Sequence, residues 1–296
     1  MTTPTAPPER DGAPDRPLRL GFSPCPNDCV VFHALVHDPN LTRLRFEVTL
    51  DDVEALNGMA AEGALEVAKV SYHAAATMLD RWALLPSGGA LGRGVGPLVV
   101  TREPLRDLRG MLVAVPGGRT TARLLLALAH PEARTTELRY ERIMPAVVAG
   151  EVDAGLIIHE SRFTYADHGL HAFADLGTWW EAEVGELIPL GGIAVRRDLD
   201  PALQDEIARA VHASVAAAFR DPAASEAYVA EHAQEMSPEV RAKHVALYVN
   251  EHTLDVGDDG RRAVTTLVRA ARRLHGVTDA ETEVDAFVAW RPPRTP

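Results

Sequence analysis

The sequence predicts an α/β protein built as two lobes around a cleft, with a helical C-terminal region. Three observations carry that expectation. Short apolar runs alternate with amphipathic stretches between Leu18 and Thr101, as strands alternate with helices. A second block of the same alternation begins at Met111, and from Pro201 onward the pattern is almost wholly helical. A chain of 296 residues suits one large or two ordinary domains, and a hydrophobic fraction of 46% can fill a sizeable core. We expect residues 1–17 to be a disordered leader, 18–100 with 196–296 a large lobe, and 101–195 a small lobe. The chain would cross between lobes near Val99–Glu103 and Ile193–Arg197. Domain junctions are preferred ligand sites, so a binding cleft is expected there.

In chain order, Leu18–Phe22 is a short strand, and Asn27 or Asp28 can cap a helix reaching His37, with Pro39 beyond its end. Leu44–Leu50 alternates as a second strand. Asp51 and Glu54 have capping-box spacing, and Val53, Leu56 and Ala60 form one helical face that Gly63 ends. Leu65–Val70 is strand-like and Ser71 follows at a natural N-cap. After a strand at Trp82–Pro86, the glycine-dense stretch 87–97 is a loop and Leu98–Thr101 a connecting strand. In the second block Met111–Val115 is a strand, Pro116-Gly117-Gly118 a turn and Thr120–Ala129 a leucine-rich helix. Ile143–Gly150 is a helix, Val152–Ile158 an apolar strand, Ala172–Leu176 and Ile188–Val195 further strands. The tail predicts helices near 201–219, 222–233, 237–250, 258–275 and 279–288.

Composition excludes several classes. The net charge of −12 and pI near 5.5 leave no basic footprint for nucleic acid. Residues 1–17 hold no apolar run, and no run reaches the roughly 18 residues of a membrane span, so neither a signal peptide nor a membrane partner is expected. Cys25 and Cys29, the only cysteines, lie too close in sequence to staple two domains, which points to a reducing compartment. Cys25, Cys29, His33 and His37 recur every four residues, a spacing that invites a zinc reading. On a helix, residues eight apart are about 12 Å apart along the axis, while zinc ligands converge on bonds of about 2 Å. No metal is therefore expected, and these are buried cysteines and helix-face histidines.

Candidate chemistry concentrates at strand ends. Lys69-Val70-Ser71 and Gly117-Gly118-Arg119-Thr120-Thr121 each open a helix with a hydroxyl residue and free N–H groups. Each reads either as plain N-capping or as an anion site, and one per lobe could grip a carboxylate across a cleft. Ser87 lacks the glycine two residues earlier that a nucleophile elbow requires. Trp179-Trp180 reads as packing between lobes in preference to a stacking platform. In DAGLIIHESRFTY (153–165) a small, apolar strand meets His159 and Glu160 abruptly. A histidine at the carboxyl end of a strand is either a general base or a satisfied structural side chain. Burial behind Leu156-Ile157-Ile158 would keep it neutral, and Glu160 would pull the other way.

These stretches, with LRLGFSPCPND (18–28), DDVEALN (51–57), KVSYHA (69–74), SGGALGRGVGPLVV (87–100), VAVPGGRTTA (113–122) and YVNEHTLDVG (248–257), resemble the 1,4-dihydroxy-6-naphthoate synthases of the futalosine route to menaquinone. The resemblance runs from about Leu18 to Arg273, with GLIIHESRFTY and SPCPND its most specific parts. It implies a periplasmic-binding-protein-like (type II) fold, a cytoplasmic location, and a lyase that turns cyclic dehypoxanthinylfutalosine into 1,4-dihydroxy-6-naphthoate with loss of dihydroxyacetone. It implies no metal or organic cofactor, and a small carboxylate as the substrate, and it leaves the oligomeric state open. By motif, His159 is the proton acceptor, and Asn57, Ser71, Thr121 and Ala122 line the substrate site, with Lys69, Val70 and Thr120 beside them. The rivals are the chorismate dehydratase of the same pathway, from which GLIIHE points away, and a non-catalytic solute-binding protein.

Overall fold

Two β-sheets, one of six strands and one of five, share the strands of the chain between them. The computed structural model describes residues 16–233, 237–277 and 285–293. The expected leader therefore lies outside the described residues up to residue 15, as does most of the expected helix at 279–288.

β1 (Leu18–Phe22) is buried on both faces and leads into α1 (Pro26–His37), whose N-cap, Cys25, lies ahead of the expected caps Asn27 and Asp28. Pro26 occupies its first turn, where a missing N–H costs nothing, and Cys25 stands at the N-cap without a side-chain bond. β2 (Phe46–Leu50) pairs in parallel with β1. α2 (Val53–Ala61) is capped by Asp52, not Asp51: its carboxylate accepts from the N–H groups of Glu54 and Ala55. β3 (Val67–Ser71) is buried throughout and runs parallel to β1. α3 (Tyr72–Ala76) follows it and is only five residues long. β4 (Trp82–Leu84) and β5 (Ala90–Gly92) finish the first pass, β5 lying inside the stretch expected to be only loop.

The second sheet begins with β6 (Leu98–Thr101), followed by β7 (Leu112–Val115), α4 (Thr121–Ala129), β8 (Arg134–Glu137), α5 (Tyr140–Ala149), β9 (Ala154–Ile157), α6 (Ser161–Thr164), β10 (His171–Asp175) and α7 (Leu176–Val184). Its order is β10-β6-β9-β7-β8. β8, with sequence RTTE, is an edge strand whose polar residues gave no apolar signal. β11 (Ile188–Arg196) then returns to the first sheet, antiparallel to β3, β4 and β5. The crossings thus fall earlier than the expected boundaries, before Leu98 and before Ile188. The strands expected to link the lobes are interior, fully paired members of the sheets they enter: β6 lies between β9 and β10. In the first crossing Gly96 packs against Gly177, and a Cβ on Gly96 would stand 2.2 Å from Gly177 Cα, so the glycine-dense loop permits direct backbone contact.

The tail comprises α8 (Pro201–Arg220), α9 (Glu226–His232), α10 (Pro238–Tyr248), α11 (Glu251–Leu254) and α12 (Gly257–Leu274). In the described part of the expected last helix the chain is extended, with Phe287 bridged to Leu84 beside β4. Among the described residues no helix is long and apolar enough to cross a membrane. The largest buried cluster runs through both sheets and includes Val70, Val99, Leu124, Leu156 and Leu267. Trp180 joins it, with its indole N–H bonded to Leu187 O at 3.1 Å.

Candidate active site

A cavity between the two sheets gathers the strand ends singled out above. It holds about 680 Å³ of empty space, open solvent at its mouth included, within the range of small-molecule sites. Ser23, Asn27, Asp28, Lys69, Val70 and Ser71 line one side, and Thr120, Thr121, Ala122, Ile158 and His159 the other, with Tyr248 of α10 above them.

His159 reaches the cavity because the chain breaks sharply after β9. Its φ is 55°, and among the described residues it is the only non-glycine in the left-handed region. That conformation costs on the order of 1–2 kcal/mol, and such residues cluster where function needs a side chain re-aimed. The ring is half-buried, with Tyr140 edge-on at 5.3 Å between centroids and His244 nearly parallel at 6.1 Å. Burial is the largest influence on the His159 imidazole and pushes it below its ordinary value. A neutral imidazole at a cavity wall is the form that accepts a proton.

Ser71 ends the buried strand β3, but its hydroxyl does not cap α3. Asn57 holds it instead. The Asn57 amide donates to Ser71 Oγ at 3.3 Å and its carbonyl accepts from Ser71 N at 2.9 Å. Asn57 is fully buried and outside the cavity lining, so it acts by orienting Ser71. The Lys69 ammonium is committed to Asp28 Oδ1 at 2.6 Å and to Gly88 O at 3.1 Å, which accounts for two of its three donors. Asp28 also accepts from Ser23 Oγ at 2.7 Å and from the Asn27 amide at 2.9 Å.

Across the cavity, Thr120 caps α4: its hydroxyl accepts from Arg123 N at 3.2 Å and donates to Gly117 O at 2.9 Å. The Thr121 hydroxyl donates to Leu190 O at 2.6 Å, tying α4 to β11 of the other sheet. Both threonine hydroxyls therefore have protein partners. What α4 offers a ligand is the N–H groups of Thr121 and Ala122 in its first turn, which have no acceptor inside the helix. The two strand ends are consequently unequal. α4 is a nine-residue helix with a developed dipole, whereas α3 is a single turn, and Ser71 contributes its hydroxyl and not a helix terminus.

The structure thus brings His159, Lys69, Val70, Ser71, Thr120, Thr121 and Ala122 to one cavity, with Asn57 directly behind it. Sequence reasoning missed Tyr140 and His244, which lie on α5 and α10 with no motif to mark them, and gave no role to Tyr248, which opens the stretch YVNEHTLDVG. Glu160 proves to be buried. Among the described residues no group of three His, Cys, Asp or Glu could hold a metal. His33 and His37 pack instead with Tyr228, at 5.8 and 4.7 Å between ring centroids.

The sequence pattern of the menaquinone biosynthesis family matches residues 18–273. A 1,4-dihydroxy-6-naphtoate synthase of Thermus thermophilus is 53% identical over 254 residues, 86% of this chain and 93% of that protein. One of Streptomyces coelicolor is 50% identical over 260 residues, 86% of this chain and 92% of its own length. A crystal structure of an Archaeoglobus fulgidus protein superposes with a TM-score of 0.83 at 36% identity, covering 88% of this chain and 97% of that one. A Candida albicans protein described as having the generic periplasmic binding protein fold superposes at 0.67, 12% identical, over 95% of this chain and 99% of its own. The architecture is accordingly periplasmic-binding-protein-like, and the chain belongs to the menaquinone biosynthesis family.

Proposed function

We propose that this protein is a carbon–carbon lyase of menaquinone biosynthesis that converts cyclic dehypoxanthinylfutalosine to 1,4-dihydroxy-6-naphthoate and dihydroxyacetone, with His159 as its general base. The activity is that of the two relatives at 50–53% identity. The observation that carries the residue roles is the convergence on one cavity of His159, whose imidazole burial pushes below its ordinary value, the Ser71 hydroxyl and the first-turn N–H groups of Thr121 and Ala122. The substrate's carboxylate meets the α4 N-terminus, where the helix dipole and two N–H donors favour an anion. The Ser71 hydroxyl, with Lys69, Val70 and Thr120 beside it, holds the sugar-derived part and limits its rotation. His159 removes a proton from that part, and the electron pair so freed drives cleavage of the carbon–carbon bond. Aromatisation of the new ring makes the step favourable. The His159 imidazolium returns its proton to the departing three-carbon fragment.

The two sheets form two lobes that close on the substrate, and the reaction takes place in the cytoplasm, a setting with which two free, buried thiols agree. Incubation with cyclic dehypoxanthinylfutalosine should yield naphthoate, and incubation with chorismate should leave chorismate unchanged. Conversion of chorismate would instead favour the dehydratase, and binding without turnover of either a solute-binding protein. His159→Ala should lower kcat at least about 100-fold, as loss of a general base does, with substrate Kd by calorimetry changed less than about threefold. Near-normal turnover would remove His159 from the role.

A further inference from the structure

Behind the cavity wall two buried polar atoms face each other with no hydrogen-bond partner: Glu160 Oε2 and His244 Nδ1, 3.8 Å apart. Neither residue lines the cavity. The tautomer of His244 follows from its other nitrogen. Nε2 lies 2.8 Å from Asn27 Oδ1, and the same asparagine donates through Nδ2 to Asp28. Asn27 therefore presents a carbonyl to His244, so Nε2 carries the hydrogen and Nδ1 of the neutral ring bears a lone pair. An ionised Glu160 is acceptor-only. As placed, two acceptors would oppose each other in the interior, an arrangement that one proton converts into a hydrogen bond once the 3.8 Å gap closes by about 0.8 Å.

We propose that Glu160 and His244 share one proton, held as a neutral carboxylic acid donating to His244 Nδ1, and that this proton keeps a full negative charge away from His159. The inference rests on His159 being the base. Both are positioning residues: they act through the His159 ring, which His244 parallels and which Glu160 follows in the chain. Burial favours the form in which both partners are uncharged, since Glu160 is 7% exposed and His244 fully enclosed. Burial also pushes the His244 imidazole well below its ordinary value, which keeps that ring an acceptor at Nδ1.

The other charges around His159 are already balanced. Asp28 is paired with Lys69 at 2.6 Å and Asp52 with Arg139 at 3.0 Å. The Cys25 thiol and the Tyr140 phenol are pushed up by burial and stay neutral, and Tyr140 donates a long bond, 3.5 Å, to Glu160 Oε1. Around His244, Tyr248 packs on its ring at 4.7 Å and its phenol is likewise pushed up, to about 12. Among the described residues the only ion-pairing group within 4.0 Å of Glu160 is His244. Among the described residues Glu160 is thus the one carboxyl beside His159 without a Lys or Arg partner, and a shared proton supplies its neutrality.

The test is infrared difference spectroscopy of the full-length protein at pH 7, with the acid limb of kcat/KM measured alongside. Wild type should show a carboxylic-acid carbonyl band that Glu160→Gln removes. His244→Phe should shift that band upward in frequency, because the acid loses its acceptor. The band needs no turnover, so it should persist in His159→Ala, and failure of the base role leaves this readout intact. The amide introduced by Glu160→Gln would offer His244 an N–H in place of the acid O–H, so this variant should move the acid limb by less than about 0.3 pH unit, whatever its rate. Removing a full charge at this range would lower the limb by about one unit or more. Absence of the band in wild type, a band that His244→Phe does not shift, or a limb that falls by a unit in Glu160→Gln would each overturn the proposal. The single Glu160→Gln variant suffices should His244→Phe fail to fold.

Discussion

Ser71 presents its hydroxyl to the cavity because Asn57 takes both its backbone N–H and its Oγ. Asn57→Ala leaves that buried N–H without a partner, a loss of about 1–3 kcal/mol. Urea denaturation should report that cost, and KM should rise as Ser71 loses its orientation. For His159 the sign of the pH effect follows from burial. A base works only when uncharged, and burial moves the imidazole below 6.5. kcat/KM should therefore stay level as pH falls through 6.5 and drop only at lower pH. A limb above 6.5 would mean that the surrounding carboxylates outweigh burial.

The first turn of α2 does more than start a helix. Asp52 caps it and pairs with Arg139 at the start of α5, 3.0 Å away. Glu54, in the same turn, accepts from Arg119 N at 3.1 Å just before α4. One helix end on the first sheet thus grips two loops of the second. The exposed Arg139 pair is worth no more than about 1 kcal/mol, so Arg139→Ala should change global stability little. It should nevertheless favour the open arrangement, read as a larger radius of gyration with substrate bound. Gly117 permits the Glu54 contact: its φ is 150°, and a Cβ there would lie 2.4 Å from Glu54 Cγ. Gly117→Ala should cost about 1–3 kcal/mol in thermal or urea unfolding, because it strains the backbone and displaces that carboxylate.

The two sheets are joined by strands that each sheet treats as its own, and by a core continuous through both. α12 lies against α3 with Val264, Leu267, Val268 and Ala271 buried, so the C-terminal helix fastens the region from which Ser71 projects. Substrate should shift the lobes toward the closed form, and scattering curves identical with and without it would contradict that closure. Acid stability is anchored where β1 and β3 begin. Burial alone would raise the Glu66 carboxyl, but hydrogen bonds from Arg19 and Arg16 outweigh it and hold the group down to about 2. A depressed carboxylate contributes its stability above the ordinary value of 4.5 and loses it as pH falls through about 2. The shift corresponds to an upper figure of about 3 kcal/mol. Glu66→Gln should therefore be less stable at pH 7 and lose less on acidification.

Apolar runs with the right period and length marked β1, β6 and β11 almost to the residue, and hydroxyl and glycine residues at strand ends marked both sides of the cavity. Polar β8 gave no such signal, and the chain's last expected helix is extended where it is described, because pairing beside β4 outweighs local propensity. The motif around His159 was legible because a strand that ends in a histidine is a local fact. Whether that histidine is neutral was not, because the answer lies with α1, α5 and α10, which meet only in three dimensions. The sequence by itself therefore determined the family, the class of fold and the candidate for the base. Only the tertiary structure decided that Asn57 orients Ser71, that α4 and not α3 carries a developed helix N-terminus, and that Glu160 faces His244, since burial and hydrogen-bond partnership belong to neighbours in space and not in sequence.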